Sequence, residues 1–281
     1  MFDNYLATPD DLRTIGEALG FVMHPIMRFV FGDLSTVKKT LVVSYDSKLI
    51  YIWRLDSKKP EYKIPHRIKI KDEWQSGWSA GVEMDQVESF LPVQIKNKSR
   101  FEIPIISGGF MTPFIALQKA KKIQYNPYVA RESYLATIIH EFGHVHWNSY
   151  KLWWYSSKKE NIRYLHLTSS LYASKEKQNS LKELTFRLTS PAYLGEVFAF
   201  CAEYYASEHF WKNHKRNLDA FTEKRLNTLI NLEREKNLDR EDSVIEPNHL
   251  PHDFASILGK IIFTKHPRNW PEILTKPSFI L

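Results

Sequence analysis

His140-Glu141-Phe142-Gly143-His144 sets two imidazoles and a carboxylate at helical spacing. Side chains four residues apart on a helix lie on one face, a turn above one another, so both imidazoles can converge on a single metal ion. Glu141, beside them, is placed to reach a water on that ion rather than the ion itself, the arrangement that suits metal-assisted hydrolysis. The flanking residues agree with a helix. At about 100° per residue and with His140 as zero, His144 falls near ~40° and Glu141 near ~100°. Leu135, Ile138, Phe142, Val145 and His146 fall between about 140° and 240°. This predicts an apolar stripe towards the core, with the three motif residues on a cleft-facing side. Gly143 would be costly inside a helix unless something packs closely against its backbone. His146, on the apolar side, reads as a packed or capping histidine.

A catalytic zinc takes three protein ligands and keeps one position open. The third must come from another segment. Ser190-Pro191 reads as an N-cap and first position of a helix continuing AYLGEVFAFCAEYYASEHFW. Its carboxylates Glu196 and Glu203 share a face but lie about 10 Å apart along the axis, too far to hold one ion together. Glu196 is the expected third ligand. Glu203 either orients a histidine or is an ordinary acid on the helix surface.

The elements around these residues divide by type. Pro9 precedes a helix over Asp10–Leu19. Thr40–Asp46 and Lys48–Leu55, rich in β-branched and aromatic residues, read as a hairpin turning at Asp46-Ser47-Lys48. Tyr62–Ile70 alternates apolar and basic residues, and Pro65 marks it as an edge strand. Lys71–Arg100 reads as loop with a possible short helix, Phe101–Ser107 as a strand, and Pro113–Lys121 as a helix before the apolar run Ile123–Tyr125. After Pro127 the spacing is helical over Tyr128–Asn148, Ser190–Asn213 and Leu218–Asp239. Strands followed by helices indicate an α+β protein. The expected division is residues 1–125 as an N-terminal lobe with a mixed or antiparallel sheet and 126–281 as a mainly helical lobe, in one compact domain overall. The proline-rich tail after Glu246 is expected to wrap the surface in short pieces.

Composition excludes several classes. The 281 residues are 43% hydrophobic and 25% charged, too apolar for a disordered chain. The net charge of +7 is spread along the sequence rather than gathered in the stripe of a nucleic-acid binder. Lys151–Thr189 is the one basic concentration, either a solvated surface or a segment bordering the cleft that favours acidic or extended substrates. Leu19–Phe31, the most apolar stretch, is broken by His24, Pro25 and Arg28, so no membrane span or signal segment is expected. Cys201 stands alone, which excludes an intrachain disulfide and a zinc knuckle; it reads as a small core residue, and a reducing, cytoplasmic location is expected. His249 and His252 read as a loop pair, on the surface or donating to a reaction intermediate.

HEFGH followed 52 residues later by Glu196-Val197-Phe198-Ala199 resembles the gluzincin class of zinc metallopeptidases, in the style of the lethal-factor-like families. The likeness covers Ile123–Tyr205. It implies a zincin-like fold, Zn²⁺ on His140, His144 and Glu196, and Glu141 as general base for peptide-bond hydrolysis. An edge strand of the N-terminal sheet would pair with an extended peptide or protein substrate. The chain departs from that pattern at Phe200, where relatives often carry an acid, and at Thr189, where lethal-factor-like enzymes place a tyrosine. Tyr193, one turn before Glu196, is the substitute. SprT-like and ImmA/IrrE-like proteases share the first motif, but the former's zinc ribbon is impossible with one cysteine and the latter usually have a shorter separation. A non-hydrolytic metal-binding, toxin-like or regulatory module is the alternative of another class.

Overall fold

Thr8 opens the first helix, α1 (Pro9–Val22). Its hydroxyl accepts the Asp11 N–H at 3.2 Å, and the Asp11 carboxylate accepts the Thr8 N–H at 2.9 Å, a reciprocal cap with proline at the next position. A computed structural model describes residues 6–38, 40–46, 48–55, 57–65, 105–107, 127–147, 191–234 and 250–275. They fall into two compact units, Met1–His146 and Trp147–Leu281.

In the first unit, α1 leads through a single 3-10 turn into the short helices α2 (Arg28–Phe31) and α3 (Ser35–Lys38). Between these two, Gly32 at φ 65° and Leu34 at φ 63° reverse the chain in left-handed backbone. The expected hairpin follows as β1 (Leu41–Tyr45) and β2 (Leu49–Arg54), antiparallel with Tyr45 opposite Ile50. Asp46, in the turn, is buried, and its carboxylate accepts the N–H groups of Lys48 and Leu49 at 2.8 Å each. It also accepts the Tyr51 hydroxyl at 2.8 Å and the Ala7 N–H at 3.0 Å. One carboxylate thus closes the turn and fastens the approach to α1. Burial, and then Asp46, push the Tyr51 hydroxyl pKa up.

Strand β3 (Tyr62–Pro65) joins β2 as an exposed edge, as the proline requires. Strand β4 (Ile105–Ser107) runs parallel to β1, giving the order β3-β2-β1-β4. Val42, Ser44, Tyr51 and Trp53 on one face and Leu41, Val43, Ile50 and Ile52 on the other are all buried, so the centre of the sheet is covered on both sides. The Trp53 indole N–H donates across it to Ser44 Oγ at 2.8 Å. Helix α4 (Pro127–Trp147) starts on its proline and carries the His-Glu-x-x-His segment.

The second unit is helical where it is described: α5 (Pro191–Phe210), α6 (Lys212–Arg234), α7 (Leu250–Lys265) and α8 (Trp270–Thr275). Helix α5 is its centre and packs on each of the other three. The closest approach is to α7, where a Cβ on Gly259 would lie 2.9 Å from Phe200 Cβ and the Cys201 thiol donates to the Gly259 carbonyl at 3.3 Å. Trp147 stacks on Phe198, which meets Trp270 edge-on.

The strands and the long helices after Pro127 make the protein α+β. The tail is the correction. After Glu246 it forms a sixteen-residue helix with a buried face, Ala255, Ile257, Leu258 and Ile262, rather than short surface pieces. Pro251 and Pro271 sit at the second position of α7 and α8, where a missing N–H costs nothing, so they start helices instead of breaking them. His252 accordingly lies in α7, not in a loop. The expected segments Lys71–Arg100, Pro113–Lys121, Ile123–Tyr125 and Lys151–Thr189, and His249, fall outside the described residues. Among the described residues no helix is long and apolar enough to cross a membrane.

Candidate metal centre

Helix α4 brings His140, Glu141 and His144 together. The two Nε2 atoms lie 3.2 Å apart and the rings meet edge-on, with centroids at 5.0 Å. One ligand atom from each of the three residues lies within 4.8 Å of the other two. Two nitrogens bound to one tetrahedral zinc at about 2.05 Å stand roughly 3.3 Å apart. The observed separation is close to that edge, so the pair could hold a metal ion. No other group of three potential metal ligands clusters in this way among the described residues.

The surroundings of the site differ from the sequence expectation. The stripe Leu135, Ile138, Phe142 and Val145 is buried as expected, but His140, Glu141 and His144 are also only 6–8% exposed. Ala136, Ile139 and Gly143 are buried too, so α4 is enclosed from Ile138 to Val145, while Thr137, on the motif side, is partly exposed. Three polar residues held there among apolar neighbours are costly unless they are paired or hold a cation.

Both ends of the helix are supported within the first unit. Arg131 and Glu17 form an ion pair between α4 and α1. The Tyr134 hydroxyl oxygen is buried and has no hydrogen-bond partner among the described residues. Burial, and then the Asp11 charge, raise its pKa well above the ordinary tyrosine value. At the other end His146 is half-buried with its ring edge-on to Phe31 at 5.6 Å, the packed histidine the helical wheel implies. Burial lowers its pKa against the opposing pull of Asp33.

The remaining site candidates lie on α5 in the second unit. Tyr193 falls in the first turn of that helix. Glu196 is 3% exposed, between Gly195 and Val197, which are buried as well. Glu203 does hold a histidine, but that histidine is His214 at the start of α6, with Nε2 at 3.2 Å from Glu203 Oε1. His214 is not among the residues expected from the sequence. Its signal was the spacing His214, Leu218, Thr222, a stripe four residues apart that faces α5. Cys201 is fully buried, and burial raises its thiol pKa, as suits a core residue. No family model matches the chain, and neither the curated proteins nor the solved structures contain a match to it.

Proposed function

We propose that the protein is a zinc-dependent metallopeptidase. The observation that carries this reading is the 3.2 Å separation of the His140 and His144 Nε2 atoms, a tetrahedral edge, with the Glu141 carboxylate beside it on the same buried helix. His140 and His144 would hold the ion, with Glu196 as third ligand on the strength of the HEFGH and E-x-F-A pattern. When bound, zinc supplies Lewis acidity towards the scissile carbonyl and acidifies a water molecule. Glu141 takes the proton of the attacking water and returns it to the departing amine. Tyr193, a turn before Glu196, is assigned to donate to the carbonyl oxygen as it gains charge. An extended peptide is the substrate class, bound along a sheet edge such as β3.

A second reading has its own support. All three groups of the motif are below 9% exposure, which also suits an ion held for structure in a non-hydrolytic module. Glu141→Gln separates the two. The amide is nearly isosteric with the carboxylate but cannot accept the proton, and general-base catalysis is worth about 10²–10⁴-fold. Elemental analysis of the purified chain should give one zinc per molecule in wild type and in Glu141→Gln. Metal-dependent cleavage of a peptide library should fall at least about 10²-fold in the variant. A fully active Glu141→Gln protein, or His144→Ala with undiminished zinc, would overturn the peptidase reading. Stoichiometric zinc with no cleavage of any peptide would favour the structural ion.

A further inference from the structure

We propose that Thr137 is the threshold of the metal site, the residue past which an ion and its water reach His140 and His144. The inference deepens the metallopeptidase reading and rests on it only for an ion at those two histidines. It starts from the wetting of one face of α4. With His140 as zero, Ser133 falls near ~20° and Thr137 near ~60° around the axis, on the side of His144 and Glu141. Ser133 and Thr137 are partly exposed, whereas every residue from Ile138 to Val145 is buried. The motif face therefore passes from wet to dry in chain order. Thr137 is its last partly exposed residue before the histidines.

The other end of the same face is occupied. Trp147 falls near ~340° on that scale, one turn after His144. Its ring is taken up by Phe198, on which it stacks with centroids 5.7 Å apart. Side chains of a helix also lean towards its N-terminus, which carries His140 and Glu141 over the turn that holds Thr137. Tilt and exposure thus point to the same side of the motif.

The chemistry of the stretch agrees with its position. The Thr137 hydroxyl donates to the Ser133 carbonyl at 2.8 Å, which folds it back against the helix and keeps the side chain compact. Its donor is committed there, and its oxygen keeps a lone pair for water or a cation. The flanking residues Leu135, Ala136, Ile138 and Ile139 are apolar and buried. A hydrated ion gives up water at high cost unless other polar groups replace it, and these side chains offer none. Ser133 and Thr137 bring hydroxyl oxygens to the partly exposed stretch, so the polar way in is also the wet one. A large ring in place of Thr137 would lie across that route, because a long helical side chain covers the turn before its own Cα.

The test uses the full-length chain and zinc alone. Uptake and chelator-driven release are followed by stopped flow, and affinity by competition against a chromophoric chelator. A residue at the threshold changes rates and leaves the equilibrium alone, since it touches the route and not the ligands. Thr137→Trp should slow uptake and release by the same factor, at least about tenfold. Affinity should stay within about twofold of wild type. Glu132→Trp, near ~280° on the far side of the helix, should change neither rate. Unchanged rates in Thr137→Trp, equal slowing in Glu132→Trp, or a loss of affinity with faster release would overturn the proposal. If Thr137→Trp does not fold, the bulk is added after folding, by coupling a maleimide to the zinc-loaded Thr137→Cys chain, where the fully buried Cys201 does not compete. The same slowing is then expected. An introduced thiol that stays unreactive in the folded chain, or coupling that leaves both rates unchanged, overturns the proposal. A wild-type chain that binds no zinc defeats the metal reading itself, whereas zinc binding with rates blind to position 137 defeats only the threshold.

Discussion

Asp46 shows how one residue can organise a large part of the first unit. Its carboxylate accepts four hydrogen bonds, from Ala7, Lys48, Leu49 and Tyr51, at 2.8–3.0 Å. Hydrogen bonds to a charged group are worth about 1.5–3 kcal/mol each, less than additively within one network. Asp46→Ala should cost at least about 3 kcal/mol, and Tyr51→Phe, which removes one bond and buries no new polar group, about 1.5 kcal/mol. Urea unfolding would show the difference as a larger drop in midpoint for Asp46→Ala. Equal drops would mean that the carboxylate is an ordinary turn residue. At this scale the sequence was informative where spacing alone decides geometry: His140, Glu141 and His144 meet because four residues make a turn. It was uninformative where a partner is distant. Asp46 reads as one more turn aspartate, and the stripe His214, Leu218, Thr222 marks a buried face without naming Glu203 as the partner of His214.

Helices show the same division between local and distant causes. Pro127 and Pro191 start α4 and α5 at the expected places, and the β-branched runs form the expected hairpin. The tail departs from the expectation because proline in the first turn of a helix lacks only an N–H that the helix does not use. The buried middle of α4 departs from the expectation for another reason: a helical wheel ranks faces by polarity, and here the fold buries the polar face as well. Helix α1 offers a direct test of packing against propensity. Its Gly16 and Gly20 are one turn apart. A Cβ on Gly16 would lie 2.7 Å from the Lys58 carbonyl oxygen, whereas one on Gly20 would meet nothing within 4 Å. Gly20→Ala should stabilise by about 0.5–1 kcal/mol through helix propensity. Gly16→Ala should destabilise by about 1–3 kcal/mol, because a backbone segment must move. Melting temperatures should shift in opposite directions, and two shifts of the same sign would refute the close approach of the Lys58 segment to α1.

At the scale of the whole molecule, the two units are built by different rules, a two-sided sheet with helices in the first and helices around α5 in the second. The order of the sheet also has a consequence in time. Tyr45 pairs with Ile50 across a tight turn, whereas Leu41 pairs with Ile105. Closing the longer loop costs about 2 kcal/mol more in chain entropy by the logarithmic rule. The meander β1-β2-β3 should therefore be in place before β4 docks, and pulse-labelled hydrogen exchange during refolding should find the β1–β2 amides protected first. Simultaneous protection of β1 with β2 and with β4 would contradict this. During synthesis the same interval opens as soon as residue 65 is made and closes only after residue 107. Throughout it β1, with the sequence LVVSY, presents an unpaired apolar edge to every neighbouring nascent chain. The parallel strand that completes the sheet is thus also its guard against aggregation, and it arrives late.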